Sequence, residues 1–205
     1  MLDAVMRKLI DPPLDRAAVL FVRAGVPANA ITVAGFILGI AALPFIATGN
    51  FIVGLVFILL NRLCDGLDGA VARRTKLTDL GGFLDIALDF VFYASVPFAF
   101  ALARPEDALA AAFLLFAFMA PAATFLAFAA LAGKHGVRTE RRGRKSLYYL
   151  GGLSEGTETL LAFVLMCLFP GWFEAVCYVY GVMCFITGGT RIAEAIETFG
   201  GRSDR

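Results

Sequence analysis

The sequence predicts an all-α integral membrane protein with six transmembrane helices preceded by an N-terminal interfacial amphipathic helix. Three observations predict this class. Hydrophobic residues fill 60% of the 205 positions, the mean hydropathy is +0.79, and the apolar residues form runs long enough to cross a bilayer. Soluble domains are only about 45–50% apolar, so we expect the bilayer to be the solvent of a single domain.

Six apolar runs have the length of a membrane span, since roughly 20 apolar residues cross a hydrocarbon core about 30 Å thick. The predicted spans are 31–48, 51–73, 80–103, 107–132, 147–169 and 172–195. They form one transmembrane domain over 26–200, followed by a short tail, 201–205. An even number of spans places both chain termini on the same side of the membrane.

Lysine and arginine indicate which side that is. They cluster before the first span, between the second and third, between the fourth and fifth, and after the sixth, whereas the opposite connectors contain only Arg104. Basic loops stay on the cytoplasmic side. Both termini, including the 201–205 tail, are therefore expected in the cytoplasm.

The segment 1–25 has the pattern of interfacial amphipathic helices. Its first apolar residues recur at helical spacing with charges between them: Leu2, Val5, Met6 and Leu9. Asp11 followed by Pro12 and Pro13 suits the start of a second such helix. We therefore expect two short helices lying on the membrane surface.

Four aspartates occupy the second and third spans at a common depth. At 1.5 Å per residue, Asp65 lies roughly 21 Å inward from Phe51, and Asp89 lies roughly 21 Å inward from the other span's outer end. Asp68 is three residues after Asp65, and Asp85 is four before Asp89. Each pair therefore occupies one face of its helix.

Such a cluster requires compensation. One membrane-embedded aspartate costs about 2.5–3.5 kcal/mol, and two carboxylates about 4 Å apart repel by about 4 kcal/mol at an effective dielectric near 20. Hard oxygen ligands favour Mg²⁺ or Mn²⁺. One alternative is compensation by arginines, of which Arg62, Arg73 and Arg74 are near. Another is a divalent-cation transporter or channel, although the outer halves of these two spans are wholly apolar.

The same stretch resembles the signature of the CDP-alcohol phosphotransferase family, D-x-x-D-G-x-x-A-R followed by G-x-x-x-D-x-x-x-D. Every fixed position is filled, by Asp65, Asp68, Gly69, Ala72, Arg73, Gly81, Asp85 and Asp89. The resemblance implies a homodimeric phospholipid synthase in the bacterial cytoplasmic (inner) membrane. Such an enzyme moves a phosphatidyl group from CDP-diacylglycerol to an acceptor hydroxyl and releases CMP; no nucleic-acid partner is implied.

The resemblance also implies roles for the four acids. Asp65, Asp68 and Asp85 would be ligands of two divalent cations, Mg²⁺ or Mn²⁺. Asp89 would both contact metal and act as the general base. A carboxylate within hydrogen-bond reach can take the proton of an acceptor hydroxyl, and paired cations can neutralise a diphosphate.

Nucleotide contacts are implied at five further positions. Gly69 and Arg73 match family contacts to the CDP moiety. The segment "PANAIT" resembles a nucleotide-binding segment of the family and nominates Asn29 and Thr32, which could alternatively cap the first span. Thr78 lies where the loop before the third span would contact the diphosphate.

Two glutamates are our candidates for the acceptor site. The apolar run 160–169 is only about 15 Å long, so the preceding polar residues are expected to enter the membrane in the same helix. Glu155 would then lie level with Asp65, and Glu158 would share its face. We hypothesise that both bind acceptor hydroxyls in the aspartate cavity; the alternative is a hydrogen-bonded contact with Thr157, Thr159 or Arg191.

The basic loop after the fourth span is a second candidate for acceptor binding. Its arginines Arg138, Arg141 and Arg142 could hold an acceptor phosphate or anionic lipid heads, or could form a solvated loop. The loop lacks the Gly-Lys-x-x-Thr pattern associated with phosphatidylglycerophosphate synthases. Glycerol 3-phosphate is the first acceptor expected, with inositol phosphate and phosphatidylglycerol as alternatives.

Overall fold

A computed structural model describes residues 3–134 and 152–200, with side chains from residue 10 onward. All regular structure in these ranges is helical. Seven α-helices follow one another along the chain: α1 Asp3–Arg23, α2 Ala28–Ala47, α3 Phe51–Arg74, α4 Asp79–Ala103, α5 Ala108–Lys134, α6 Gly156–Leu168 and α7 Phe173–Phe199. Single 3₁₀ turns, Pro105–Asp107 and Pro170–Trp172, precede α5 and α7.

Four of the helices are long and apolar enough to cross a membrane: α2, α4, α5 with its 3₁₀ turn, and α7 with its 3₁₀ turn. Helix α3 has 24 residues but carries the charged motif in its second half, and α6 has 13 residues. The all-helical prediction is confirmed, and residues 3–134 and 152–200 contain four membrane-crossing candidates, whereas six spans were expected of the chain.

Helix α6 begins later than predicted. The expected helix over 147–169 starts at Gly156, and positions 147–151 lie outside the described residues. The backbone amides of Leu153 and Ser154 donate to Thr187 Oγ1 of α7, at 3.0 and 2.9 Å. Because a side chain on another helix satisfies these amides, residues 152–155 run as an irregular segment against α7.

Helix α1 replaces the two short helices expected at the N-terminus. It is continuous through Pro12 and Pro13, although proline cannot donate a helical hydrogen bond. Its second half is docked on α3, where Leu14 and Ala18 are buried. A Cβ on Gly66 of α3 would lie 2.5 Å from Leu14 Cδ1, so the glycine permits this close approach. Tertiary packing therefore holds the helix past its prolines.

The main hydrophobic core is formed by buried residues of all six helices from α2 to α7 and is rich in aromatic side chains. Phe100 of α4 stacks on Phe173 of α7 with ring centroids 4.6 Å apart. On α2, a Cβ at Gly39 would lie 2.6 Å from the Phe92 ring and 2.9 Å from Asn61 Nδ2. This close approach brings α2, α3 and α4 together, and these three helices carry the aspartate site.

Candidate functional site

Three of the four motif aspartates come together between α3 and α4. Carboxylate oxygens of Asp65, Asp68 and Asp85 all lie within 4.8 Å of one another. Asp68 is buried, and the other two are half-buried. The three-residue spacing on α3 and the packing of α4 beside it therefore produce a cluster of oxygen donors at one level, as the spacing predicted.

The cluster has the chemistry of a divalent-cation site. Its donors are all carboxylate oxygens, which suit Mg²⁺ and Mn²⁺. Asp68 Oδ2 is buried and has no hydrogen-bond partner within residues 10–134 and 152–200. An unpaired buried carboxylate oxygen is costly, and a cation held by the three acids would satisfy it. The residues present therefore fit the metal that the family resemblance implies.

A pocket opens beside this cluster and is lined from three helices. Its residues are Thr32, Gly35 and Phe36 of α2, Asn61, Asp65 and Asp68 of α3, and Asp85, Leu88 and Asp89 of α4. All four motif aspartates therefore face one pocket. It also contains Thr32, one of the two α2 residues nominated from the sequence.

Asp89 lies in the pocket but outside the three-acid cluster, because its carboxylate is engaged by Arg62 of α3. Arg62 Nη2 donates to Asp89 Oδ1 at 2.5 Å, and Arg62 Nη1 donates to Asp89 Oδ2 at 3.2 Å. The hydroxyl of Tyr93 lies 3.4 Å from Asp89 Oδ2. Compensation by Arg62 therefore reaches two of the four acids, Asp89 and also Asp65, with 3.6 Å between Arg62 Nη1 and Asp65 Oδ2.

Asn29 and Thr78 meet at the start of α4. The Asn29 Oδ1 and Thr78 Oγ1 atoms would each lie 3.0 Å from a Cβ on Gly81. Thr78 is the N-cap of α4, accepting a hydrogen bond from the Gly81 amide at 3.0 Å. The N-cap of α2 is Pro27, so the capping alternative for Asn29 and Thr32 is wrong.

Gly69 and Arg73 lie near the C-terminal end of α3. A Cβ on Gly69 would lie 3.4 Å from Arg73 Nη1, as expected for residues four apart on one helix. Arg73 is exposed and forms an ion pair with Asp15 of α1, with 3.5 Å between Nη2 and Oδ1. The exposed guanidinium of Arg73 therefore lies beside the Gly69 position and is paired with Asp15.

The glutamates nominated for the acceptor do not line the aspartate pocket. Glu155 is the N-cap residue of α6, and its Oε1 accepts a hydrogen bond from the Gly152 amide at 3.2 Å. Glu158 is buried on α6. Thr159 Oγ1 donates to the backbone carbonyl of Glu155 at 2.9 Å, a bond that does not involve the carboxylate on which the alternative depends. Arg138, Arg141 and Arg142 lie outside the described residues.

Sequence reasoning named Arg62 only as one of three arginines near the acids, and it missed the bond of Arg62 to Asp89 and the roles of Tyr93 and Thr187. Tyr93 lies four residues after Asp89, and that helical spacing places it beside the acid, so this signal was present. Arg62 lies three residues before Asp65, which predicts a contact with Asp65 but not the bond to Asp89 on α4. Thr187 offered no such signal, because its partners Leu153 and Ser154 lie more than 30 residues away along the chain.

Comparison with known proteins assigns the class. The chain belongs to the CDP-alcohol phosphatidyltransferase family, whose model matches residues 25–187 and whose enzymes transfer phosphatidyl groups. The inner membrane protein YnjF of Escherichia coli is 53% identical over 193 residues, which are 94% of each chain. Archaetidylinositol phosphate synthase of Methanothermobacter thermautotrophicus is 43% identical over 86 residues, 42% of this chain and 40% of its own. The family predicted from the motif is confirmed.

Solved structures show the same fold. The phosphatidylinositol phosphate synthase PgsA1 of Mycobacterium tuberculosis with CDP-DAG bound has a TM-score of 0.72 and 21% identity, covering 94% of this chain and 97% of its own. Its complex with manganese and citrate has a TM-score of 0.73 and 22% identity, covering 94% and 92%. At these identities the likeness establishes a shared fold.

Proposed function

We propose that this protein is a metal-dependent phospholipid synthase that transfers a phosphatidyl group from CDP-diacylglycerol to an acceptor hydroxyl and releases CMP. The observation that carries the proposal is the cluster of Asp65, Asp68 and Asp85, with carboxylate oxygens within 4.8 Å of one another. Family membership supports the reaction type, and the manganese and CDP-DAG bound to PgsA1 support the ligands.

The three clustered acids would hold Mg²⁺ or Mn²⁺. When bound, a pair of such cations neutralises diphosphate charge and orients the reacting oxygens. Asp89 would border this pair and take the proton of the acceptor hydroxyl. The acceptor oxygen then bonds to the lipid-bearing phosphorus, the phosphoanhydride bond breaks, and CMP leaves with the bonding electrons.

The nucleotide would lie between the aspartate pocket, the start of α4 and the C-terminal end of α3. Thr32 faces the pocket, while Asn29 and Thr78 lie together at the start of α4. Gly69 leaves room for a ligand against the α3 backbone, and the Arg73 fork can bind phosphate oxygens through paired hydrogen bonds. We assign these five residues to CDP binding.

A polyol phosphate is the acceptor class we propose, with inositol phosphate to be tested first. The archaeal relative and the structural neighbour are both named as inositol phosphate lipid synthases. Glycerol 3-phosphate, expected first from the sequence, and phosphatidylglycerol remain in the test. We propose Glu155 and Glu158, together with Arg138, Arg141 and Arg142, as the acceptor residues to be tested by substitution, although the two glutamates are not among the residues that line the aspartate pocket.

Membrane placement completes the proposal. Helix α3 is about 36 Å long at 1.5 Å per residue, which suffices for a span once its acids hold cations. With α3 and α6 added to the four apolar helices, the chain crosses six times with both termini in the cytoplasm. The name of the 53% identical relative supports an inner-membrane location. We further propose a homodimer, and we place α1 in the membrane interface.

The test is turnover by the purified protein with labelled CDP-diacylglycerol, Mn²⁺ and a panel of inositol phosphate, glycerol 3-phosphate and phosphatidylglycerol. We expect CMP release with at least one acceptor and a lipid product of the corresponding mass. Asp79→Asn is the matched control, because Asp79 is an exposed acid at the start of α4. CMP release by wild type no faster than by Asp89→Asn with every acceptor would overturn the proposal.

A further inference from the structure

The carboxylate of Asp89 is held by one arginine and one tyrosine at the edge of the pocket. Arg62 binds both carboxylate oxygens through its two terminal nitrogens, at 2.5 and 3.2 Å. Arg62 Nη1 also donates to the Tyr93 hydroxyl at 2.8 Å, and that hydroxyl can donate to Asp89 Oδ2 at 3.4 Å. Three hydrogen bonds, two from Arg62 and one from Tyr93, therefore fix the orientation of the Asp89 carboxylate.

Arg62 is itself fixed by its neighbours. Its Nε donates to Asn61 Oδ1 at 2.8 Å, and Asn61 Nδ2 donates to the Gly35 carbonyl of α2 at 2.9 Å. The guanidinium carbon lies 4.9 Å from the Phe92 ring centroid and 5.0 Å from that of Tyr93. The side chain is 12% exposed. Packing and hydrogen bonds of this kind are typical of residues that hold a functional side chain in place.

Arg62 also lies between the two parts of the site. Its Nη1 is 3.6 Å from Asp65 Oδ2, on the side of the three-acid cluster, while its paired hydrogen bonds face Asp89. The same guanidinium therefore contacts one acid of the three-acid cluster and holds the Asp89 carboxylate at the wall of the pocket that both acids line.

We infer that Arg62 is a positioning residue for Asp89, with Tyr93 as its second support. The inference rests on the proposed function, in which Asp89 receives the acceptor proton. Arg62 acts through the orientation of the carboxylate and not through contact with the donor or the metal. Its planar fork carries that role, because a lysine supplies the same charge without paired, coplanar donors.

The test compares Arg62→Lys, Arg62→Gln and Tyr93→Phe with wild type in the CMP-release assay at saturating Mn²⁺. The control is Arg74→Gln, an exposed arginine on the same helix. We expect kcat to fall about 100-fold in Arg62→Gln, because misplacing a reacting group by about 1 Å costs that much. Arg62→Lys should fall at least about tenfold despite its retained charge, and Tyr93→Phe should fall least.

Three further readouts separate positioning from a merely structural role. The KM for CDP-diacylglycerol should stay within about twofold of wild type in every variant. Mn²⁺ affinity, measured by electron paramagnetic resonance without substrate, should stay within about twofold in Arg62→Lys and Tyr93→Phe, which keep the positive charge beside Asp65. In an Asp89→Asn background, adding Arg62→Gln should lower the residual rate by less than about twofold, since nothing remains to be positioned.

Several results would overturn the inference. These are a wild-type kcat in Arg62→Lys, a donor KM that rises by the same factor as kcat/KM falls, or a parallel loss of kcat and Mn²⁺ affinity. Should Arg62→Gln fail to fold, Arg62→Lys and Tyr93→Phe decide the matter. A wild-type protein that releases no CMP would instead overturn the proposed function, whereas active wild type with equally active variants would remove this inference alone.

Discussion

The α3–α4 region and the α6–α7 region both place acids inside an apolar helical protein, but they do so differently. In α3 and α4 the acids lie on unbroken helices, and Asp65, Asp68 and Asp85 converge on one another. At α6 the helix starts only at Gly156, and Glu155 accepts a hydrogen bond from the backbone of its own segment. Acids at helical spacing share a face only where the helix is continuous.

The contrast also shows two ways of accommodating polar groups. Between α3 and α4, one buried carboxylate oxygen of Asp68 has no partner in the described parts of the chain, which suits a cation ligand. Between α6 and α7, hydroxyls of Thr187, Thr159 and Tyr180 bind backbone and one another. The first region gathers three carboxylates at one pocket, whereas in the second region the hydroxyls bond to the backbone and to one another.

The largest expected effect comes from the acid cluster. Replacing Asp68 by Asn should lower the rate of CMP release at least about 100-fold, since metal stabilisation of the transition state is worth several kcal/mol and each 1.36 kcal/mol is a factor of ten. Mn²⁺ at 100 times its dissociation constant should stabilise wild type by about 2.7 kcal/mol, and the variant much less. Activity assays and thermal unfolding with Mn²⁺ or EDTA check both expectations.

Asp79→Asn is the control for this prediction and should retain both the activity and the Mn²⁺-dependent rise in Tm. An Asp68→Asn protein with wild-type turnover and an unchanged Mn²⁺ response would remove the distinction drawn between the two regions. It would show that the α3–α4 acids serve internal contacts.

An intermediate effect is expected at the α6–α7 contact. Replacing Thr187 by Val removes the hydroxyl oxygen that accepts from the amides of Leu153 and Ser154. Leu153 is exposed and Ser154 is buried, so only the Ser154 amide would be left without solvent; an unsatisfied buried donor costs about 1–3 kcal/mol, and the free energy of unfolding should fall by roughly 2 kcal/mol. Thermal or denaturant unfolding in detergent measures this change.

Thr190→Ala provides the comparison, because the Thr190 hydroxyl bonds within its own helix to the Thr187 carbonyl at 2.9 Å. It should change stability by less than about 1 kcal/mol, the usual net value of a single hydrogen bond. Equal stability losses in the two variants would mean that the 152–155 segment is not held by Thr187.

The smallest expected effect separates the two interpretations of Glu155. If Glu155 binds acceptor hydroxyls, Glu155→Gln should raise the KM for the acceptor about tenfold, equivalent to about 1.4 kcal/mol, and leave the KM for CDP-diacylglycerol unchanged. Steady-state kinetics with the best acceptor of the panel measures both constants. An unchanged acceptor KM would assign Glu155 to its contact with the Gly152 amide alone.

Much of this protein follows from residue type and spacing. The apolar composition predicts helices, and the bounds expected for α3 and α4, 51–73 and 80–103, agree with Phe51–Arg74 and Asp79–Ala103 to within one residue. The spacing of the aspartates predicts their shared level, and the filled signature predicts the family. These properties are local, because the geometry of a continuous helix converts sequence separation directly into direction.

Tertiary structure decided which groups meet across helices. It placed Asp89 with Arg62 rather than in the three-acid cluster, started α6 at Gly156, and kept α1 continuous past Pro12. Each outcome depends on how closely two helices approach, as the glycines at 39 and 66 permit. It also depends on which side chain lies within hydrogen-bond distance of a buried polar group. Those are properties of inter-helix packing, and spacing along one segment does not contain them.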